Sequence, residues 1–374
     1  MSRVKTRVVV LRGTAANLWD LRPWERLGPD FETTVLVPPN NQYDLSGLEL
    51  HTARIETVGG RLPGRRAGRL AARAIGERYL GLEPQLAGAD IVHAAELGYW
   101  FTAQAARLRD KLGFRLVATV WETLPFGRAY RNVRTRPYRD VVLAATDRFL
   151  ATTERAREAL LLEGASPERI EVAPPGIDVD RFATAREAAP SGGGHLLLSI
   201  GRLVWEKGHQ DVIRALALLS RQAGAPVRLL IVGVGPEERR LRGVAKDLGV
   251  TELVEFRGWI ANDDLPALYA QASCLVLASL PTPYWEEQFG MVLVEAMAAH
   301  TAIVAADSGA IPEVVGSSGT LFPSGDYIGL ADALAAQVLT REPASRVVPE
   351  PDRLRRYSAD AAAERLRAVY AGLR

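Results

Sequence analysis

Two glutamates, Glu287 and Glu295, stand eight residues apart in the segment SLPTPYWEEQFGMVLVEAMAAH. The stretch MVLVEAMAA reads as a helix, where eight residues span a little over two turns and about 12 Å of rise. The two carboxylates therefore cannot share one proton or one small site, but they can hold different parts of an elongated ligand. Glu287, outside the helix start, can accept from hydroxyls, and Glu295, on the helix, from a more distant diol. The free amides around Phe289, Gly290 and Met291 offer positive dipole to a phosphate or hydroxyl. Upstream, Arg202 follows the apolar run LLLSIG and Lys207 sits five residues later at a helix start. Two cations beside helix N-terminal amides suit a diphosphate. Each group also has a plainer alternative. The glutamates can be capping or solvent-facing groups, and Lys207 can be half of a surface ion pair with Glu206. Lysine is scarce, four in 374 residues, which favours a ligand for the one at 207.

Groups so spaced need a scaffold, and apolar runs bounded by turns supply it. In the first half these are VVVL (8–11), TTVLV (33–37), DIVHA (90–94), RLVATV (115–120) and DRFLAT (147–152). In the second they are LLLSIG (196–201), RLLIVG (228–233), VEFRG (254–258), CLVLA (274–278) and TAIVAA (301–306). Near-continuous apolar strands interleaved with helical patterns predict parallel sheets covered on both faces, hence an α/β chain of two doubly wound, Rossmann-like domains. The expected boundaries are a first domain at 1–178, a linker at 179–194 through REAAPSGGG, and a second domain at 195–356. A last helix at 357–374 is long enough to return to the first domain. Ligands in such sheets settle beyond the carboxyl strand ends. Gly13, directly after VVVL, fits close backbone approach to an anion or sugar, or simply a tight turn. The dinucleotide pattern G-x-G-x-x-G is absent after that strand.

Composition narrows the classes. A chain with 48% apolar and 24% charged residues is globular, not disordered, and 374 residues suit two cores. The lone cysteine, Cys274, excludes an internal disulfide, and no apolar stretch approaches the roughly 18–20 residues of a membrane span. With no cleavable leader pattern, a cytoplasmic protein is expected. Net charge divides as +5 over 1–178 and −3 over 179–374. Arg61, Arg65, Arg66, Arg69, Arg73 and Arg78 form one basic cluster, and Arg128, Arg131, Arg134, Arg136 and Arg139 a second. Positions 65, 69 and 73 would share a helix face that meets anionic lipid or a phosphorylated acceptor, or is simply solvated. Five histidines show neither H-x-x-x-H nor H-E-x-x-H spacing, and the nucleophile elbow G-x-S-x-G is missing, so no metal site or hydrolase triad is expected. Nor is a nucleic-acid partner.

The segment EQFGMVLVEAMA resembles the E-x7-E signature of family 4 of the retaining glycosyltransferases. GRLVWEKG resembles that family's basic motif, VGVGPEERRL its glycine turn, VEFRGWI its base-contacting strand end and SGAIPEVVG its following helix start. Order and spacing match across roughly 195–335, with looser agreement at APPGIDVDRF and DIVHAAE. The resemblance implies a GT-B fold, with a nucleoside-diphosphate sugar held mainly by the second domain and a hydroxyl acceptor by the first. It implies that Arg202 and Lys207 bind the diphosphate and that Glu287 orients the hexose. Phe289, Gly290 and Met291 would line the sugar and phosphate pocket, Glu295 would hold the ribose, and Trp259 and Ile260 would flank the base. It further implies front-face, retaining transfer. With no Asp-x-Asp motif in a suitable loop, no metal or other cofactor is expected. Where many relatives have a histidine after the fourth strand, this chain has Trp121 and Glu122, candidates to stack on a sugar and to accept from an acceptor hydroxyl. His93 and Glu96 in DIVHAAE are the other acceptor-side candidates, His93 also reading as a structural histidine satisfied by backbone. A sugar-nucleotide epimerase or phosphorylase of the same fold, and a non-catalytic nucleotide-sugar-binding subunit, stay open as other classes. The donor nucleotide is not legible, since uridine and guanosine sugars use the same groups.

Overall fold

Strands that are apolar at nearly every position need cover on both faces, and the two sets of such strands form two separate sheets. The computed structural model describes residues 5–62, 64, 66–68, 70, 76, 78–127, 135–182, 193–222, 224, 226–343 and 345–373. The chain divides into Met1–Ile177 with Arg356–Arg374, and Asp178–Arg355.

The first unit runs β1 (Thr6–Leu11), α1 (Leu18–Glu25), β2 (Phe31–Val37), β3 (His51–Arg54), β4 (Glu56–Thr57), β5 (Tyr79–Leu80), α2 (Leu82–Leu86) and β6 (Ile91–Ala95). It continues through α3 (Trp100–Leu112), β7 (Arg115–Val120), α4 (Arg136–Ala145), β8 (Arg148–Ala151), α5 (Glu154–Glu163) and β9 (Ile170–Val172). Seven strands form a parallel sheet in the order β3-β2-β1-β6-β7-β8-β9, and β4 pairs with β5 antiparallel. Alternation along β1 divides its core. Val9 and Leu11 join Leu36, Val92, Leu116 and Phe101, whereas Val8 and Val10 join Ile91, Val117, Leu150 and Trp24.

The second unit runs β10 (His195–Ile200), α6 (His209–Leu219), β11 (Val227–Val232), α7 (Glu238–Asp247), β12 (Val254–Arg257), α8 (Leu265–Gln271) and β13 (Cys274–Leu277). It ends with α9 (Met291–Ala298), β14 (Ala302–Asp307), α10 (Ile311–Val315), β15 (Thr320–Pro323) and α11 (Tyr327–Leu334). Its six parallel strands take the order β12-β11-β10-β13-β14-β15. The order reverses at β1 in one sheet and at β10 in the other, so the crevices beyond those two strands are where each unit can take a ligand.

After α12 (Pro351–Arg356), the last helix, α13 (Ala359–Ala371), packs on the first unit. Ser358 caps it by accepting from the Ala361 amide at 3.2 Å. Leu366, Val369 and Tyr370 enter the core on the Val8 and Val10 side, and α13 lies against α1. Ile177 is tied to this return by a 2.9 Å bond from its amide to the Tyr357 carbonyl and a 2.8 Å bond from the Ala359 amide to its own carbonyl.

All ten apolar runs are strands. β3, β9 and β15 had no such run, and each is a sheet edge, where one side needs no apolar cover and a sequence such as HTAR suffices. Of the expected linker at 179–194, Val179–Phe182 is a 3-10 turn grouped with the second unit, with Phe182 packed edge-on to Tyr269 at 5.6 Å. Its residues 183–192 lie outside the described residues, as do Arg65, Arg69, Arg73, Arg128, Arg131 and Arg134.

Candidate functional site

Beyond β10 the chain makes a loop through Gly201 to a 3-10 turn, Trp205–Lys207, before α6 begins. Gly208 has φ 68°, and a Cβ there would fall 1.8 Å from the Ala278 carbonyl oxygen, so only glycine lets this loop rest on the end of β13. That seating directs Lys207 across to the segment after β13. Its Nζ lies 2.7 Å from Glu287 Oε2, and Ser279 Oγ donates to the same oxygen at 2.7 Å. The lysine's ion-pair partner is thus Glu287, eighty positions along the chain, and not the adjacent Glu206. Lys207 Nζ also stands 5.0 Å from the Trp285 ring centre, a cation–π contact. Glu287 is buried, and its Oε1 has no hydrogen-bond partner among the described residues. Its backbone is clamped as well. The Ala310 amide donates to its carbonyl at 2.8 Å, and a Cβ on Gly309 would come within 2.3 Å of that oxygen.

His209 fixes the other side of the loop. Its Nδ1 faces Ser199 Oγ at 3.0 Å and its Nε2 faces the Arg202 carbonyl at 3.2 Å. Burial pushes its pKa down to about 4, so it stays neutral and holds the Arg202 backbone. The Arg202 side chain is exposed, with no hydrogen bond or ion pair among the described residues.

Helix α9 follows Glu287. Gly290 is its N-cap with φ 82° and has no side chain to cap the first amides, while Phe289 is buried beneath. These amides, Met291's among them, are what a phosphate or sugar oxygen could accept from. Glu295 lies on the second turn, apart from the lysine pair: Tyr269 Oη donates to its Oε2 at 2.8 Å. Burial raises its pKa, against the hydrogen bond from Tyr269 and the charge of Arg181. Trp259, 71% exposed, and the half-buried Ile260 follow the edge strand β12. Ser279, Trp285, His209, Tyr269 and the buried Glu286 were not singled out from the sequence. Ser279 has a positional signal, since it directly follows the run CLVLA at a carboxyl strand end; the others have none.

The first unit's candidates are arranged differently. Gly13 has φ 59° and faces Phe101, whose Cε1 would lie 2.7 Å from a Cβ there. Next to it, Arg12 is buried and paired with Asp20 at 2.7 Å. His93 is fully buried with both nitrogens engaged, Nδ1 to Tyr370 Oη at 2.6 Å and Nε2 to Thr119 Oγ1 at 2.7 Å. Its partners are side chains, not the backbone expected of a structural histidine, and no ring nitrogen is left to meet an acceptor. Burial, with the charge of Arg12 adding, holds its pKa well below the ordinary histidine value. Glu96 is buried with φ 60°, a strained conformation for a glutamate, and accepts from the Trp121 amide at 2.7 Å. Glu122 Oε1 accepts from the Thr123 and Leu124 amides, both at 3.0 Å.

Among the described residues no group of three or more His, Cys, Asp or Glu could hold a metal ion, and no helix is long and apolar enough to cross a membrane. Cys274 is a buried free thiol in β13, pushed up to about 12 by burial.

Residues 180–358 match the family model described as glycosyl transferases group 1, and residues 28–181 match the one described as glycosyltransferase family 4. The chain is similar to D-inositol 3-phosphate glycosyltransferase of Nocardia farcinica, 32% identical over 68% of this chain and 59% of that protein. It is similar, also at 32%, to the GDP-mannose-dependent alpha-(1-6)-phosphatidylinositol monomannoside mannosyltransferase of Mycobacterium tuberculosis, over 59% of this chain and 58% of that one. The matches thus span less than two thirds of either relative. Anabaena HepE in complex with UDP and glucose superposes with a TM-score of 0.73 at 18% identity, covering 98% of this chain and 100% of that one. Sucrose-phosphate synthase of Thermosynechococcus elongatus gives 0.68 at 20%, with 99% of each chain covered.

Proposed function

The chain belongs to family 4 of the glycosyltransferases and has the two Rossmann-like domains of the GT-B fold, and from that premise we propose that it moves a hexose from a nucleoside-diphosphate sugar to a hydroxyl acceptor, with retention. One observation carries the reading: the part-buried pair of Lys207 and Glu287 at 2.7 Å, with Glu287 Oε1 unused among the described residues and the uncapped start of α9 beside it in sequence.

In this mechanism Lys207, Arg202 and the first amides of α9 carry the negative charge that grows on the leaving diphosphate. Glu287 Oε1 accepts from a hexose hydroxyl and holds the ring, and it does not attack the sugar. The acceptor oxygen approaches the anomeric carbon on the face from which the diphosphate leaves. The bond from that carbon to the phosphate oxygen breaks, the new glycosidic bond forms, and the acceptor's proton passes to the departing phosphate oxygen. Glu295 receives the ribose hydroxyls, and Trp259 and Ile260 flank the base. The charge of the leaving group is met by protein groups alone, so transfer proceeds without added metal. Glu96, Trp121 and Glu122 are the acceptor-side candidates.

Release of nucleoside diphosphate only when an acceptor alcohol is present tests the reading, since epimerisation would need no acceptor. A thermal-shift screen of uridine and guanosine sugars names the donor, because a ligand bound by the native state alone raises the midpoint. We propose a cytoplasmic location, with which a chain holding a single cysteine and no internal disulfide is compatible. Peripheral contact with anionic lipid is supported by the exposed Arg61, Arg66 and Arg78 in the basic half. Failure to sediment with anionic vesicles at low salt refutes that contact.

A further inference from the structure

Two further side chains grip the Lys207–Glu287 pair, and each is set by its own stretch of backbone. Ser279, directly after β13, is fully buried, and its carbonyl accepts from Ser324 Oγ at 3.0 Å, which ties it to the loop after β15. Its hydroxyl has one proton, donated to Glu287 Oε2 at 2.7 Å. Trp285 closes a four-residue turn that begins at Thr282 and has Pro283 in its second position, where the fixed φ of proline suits a turn. The Thr282 amide donates to the Trp285 carbonyl at 2.7 Å, and the Trp285 amide to the Thr282 carbonyl at 3.4 Å. This turn holds the half-buried indole with its ring centre 5.0 Å from Lys207 Nζ. The Leu280 amide donates to the Glu206 carbonyl at 2.8 Å, so the 3-10 turn that carries Lys207 is fastened to the same segment.

The two contacts act on different halves of the pair. A carboxylate offers about four lone-pair sites on two oxygens. Here both donors, Lys207 and Ser279, sit on Oε2, and among the described residues Oε1 has none. Two donors at one oxygen fix the plane of the carboxylate as well as its place, which gives the lone pairs of Oε1 one direction. An ion pair kept for stability alone gains most from donors on both oxygens, and the Glu287 side chain is only 9% exposed. Lys207 is a point charge on a flexible four-carbon stem. The indole face attracts it without offering an acceptor atom, so among the described residues only Glu287 takes a hydrogen bond from its three N–H groups.

We propose that Ser279 and Trp285 are positioning residues that divide the grip on the donor: Ser279 sets Glu287 for the hexose, and Trp285 sets Lys207 for the diphosphate. The inference rests on the donor reading above and adds that sugar and phosphate are recognised through separate neighbours of one ion pair.

Calorimetric titration of the full chain with UDP-glucose and GDP-mannose, one hexose donor for each base, and with free UDP and GDP separates the two roles. Ser279→Ala is expected to weaken binding of the nucleotide sugar about tenfold and to leave its free nucleoside diphosphate at wild-type affinity. Ser279→Cys, which keeps the volume but only a weak donor, is expected to do the same. Trp285→Leu is expected to weaken both ligands about fivefold, and Trp285→Phe, which keeps an aromatic face, to recover most of that loss. A distorted fold would instead lower both ligands in the Ser279 variants, and lost packing alone would be repaired by leucine as well as by phenylalanine. Equal losses for both ligands in the Ser279 variants, no loss in them, or equal affinities for the leucine and phenylalanine variants overturns the inference and leaves the donor reading standing. A wild-type chain that binds none of the four ligands overturns the donor reading, and the inference with it.

Discussion

The two sheets present their carboxyl edges in opposite electrical states. At the second, a cation and a carboxylate meet before any ligand arrives, and among the described residues one oxygen of Glu287 is unused and the guanidinium of Arg202 unpaired. At the first, His93, Glu96 and Glu122 are bonded to the unit's own side chains and amides, and Arg12 is closed on Asp20. The proposed diphosphate needs cations already in place, and Lys207, fixed by Glu287, and Arg202 supply them. The first edge instead uses its polar groups to hold its own backbone and side chains.

The largest test removes the charge from the second edge. Lys207→Ala is expected to lower turnover by about 10²–10³, or roughly 3–4 kcal/mol, in a nucleoside-diphosphate release assay. Unchanged turnover would detach the lysine from the diphosphate and erase the contrast. Acid tests His209. The folded pKa of His209, about 4, lies below its ordinary 6.5, so the unfolded chain binds the extra proton. Its contribution is full above pH 6.5 and declines as pH falls toward about 4, by about 3 kcal/mol in all. Denaturant titrations across that window should be flatter for His209→Gln. Closer to the first edge, Tyr370→Phe leaves the Trp24 N–H and His93 Nδ1 without their shared partner, at a cost of about 2 kcal/mol in unfolding free energy. A loss near zero would mean that the buried chain is not what holds this edge. The smallest effect is expected at Trp259, which is 71% exposed. Trp259→Ala should leave stability within about 0.5 kcal/mol and weaken nucleotide binding by about 1 kcal/mol in calorimetry.

Much of this contrast was already legible in the chain. Central strands such as DIVHA and CLVLA declare themselves because both of their faces are covered, and the loops after them are the right places to look. Edge strands such as HTAR escape, since exposure removes the apolar run. Lys207 and Glu287 could each be singled out by type and position, but their mutual contact spans eighty residues, and spacing cannot report a distance set by Gly208 resting on Ala278. The same limit applies to His93. Its place at a strand end suggests a ligand, and only the return of Tyr370 from the far terminus shows that the imidazole is occupied.

That return has a consequence for how the molecule is made. The first unit lacks one wall of its core until residues 356–374 emerge, because Leu366, Val369 and Tyr370 fill the side of the sheet that Val8 and Val10 leave open. During synthesis the later unit can close on itself while the earlier one still waits for its final helix. A ribosome-stalled chain ending near residue 355 should therefore expose an apolar sheet face to chaperones, and a separately supplied α13 peptide should cover it.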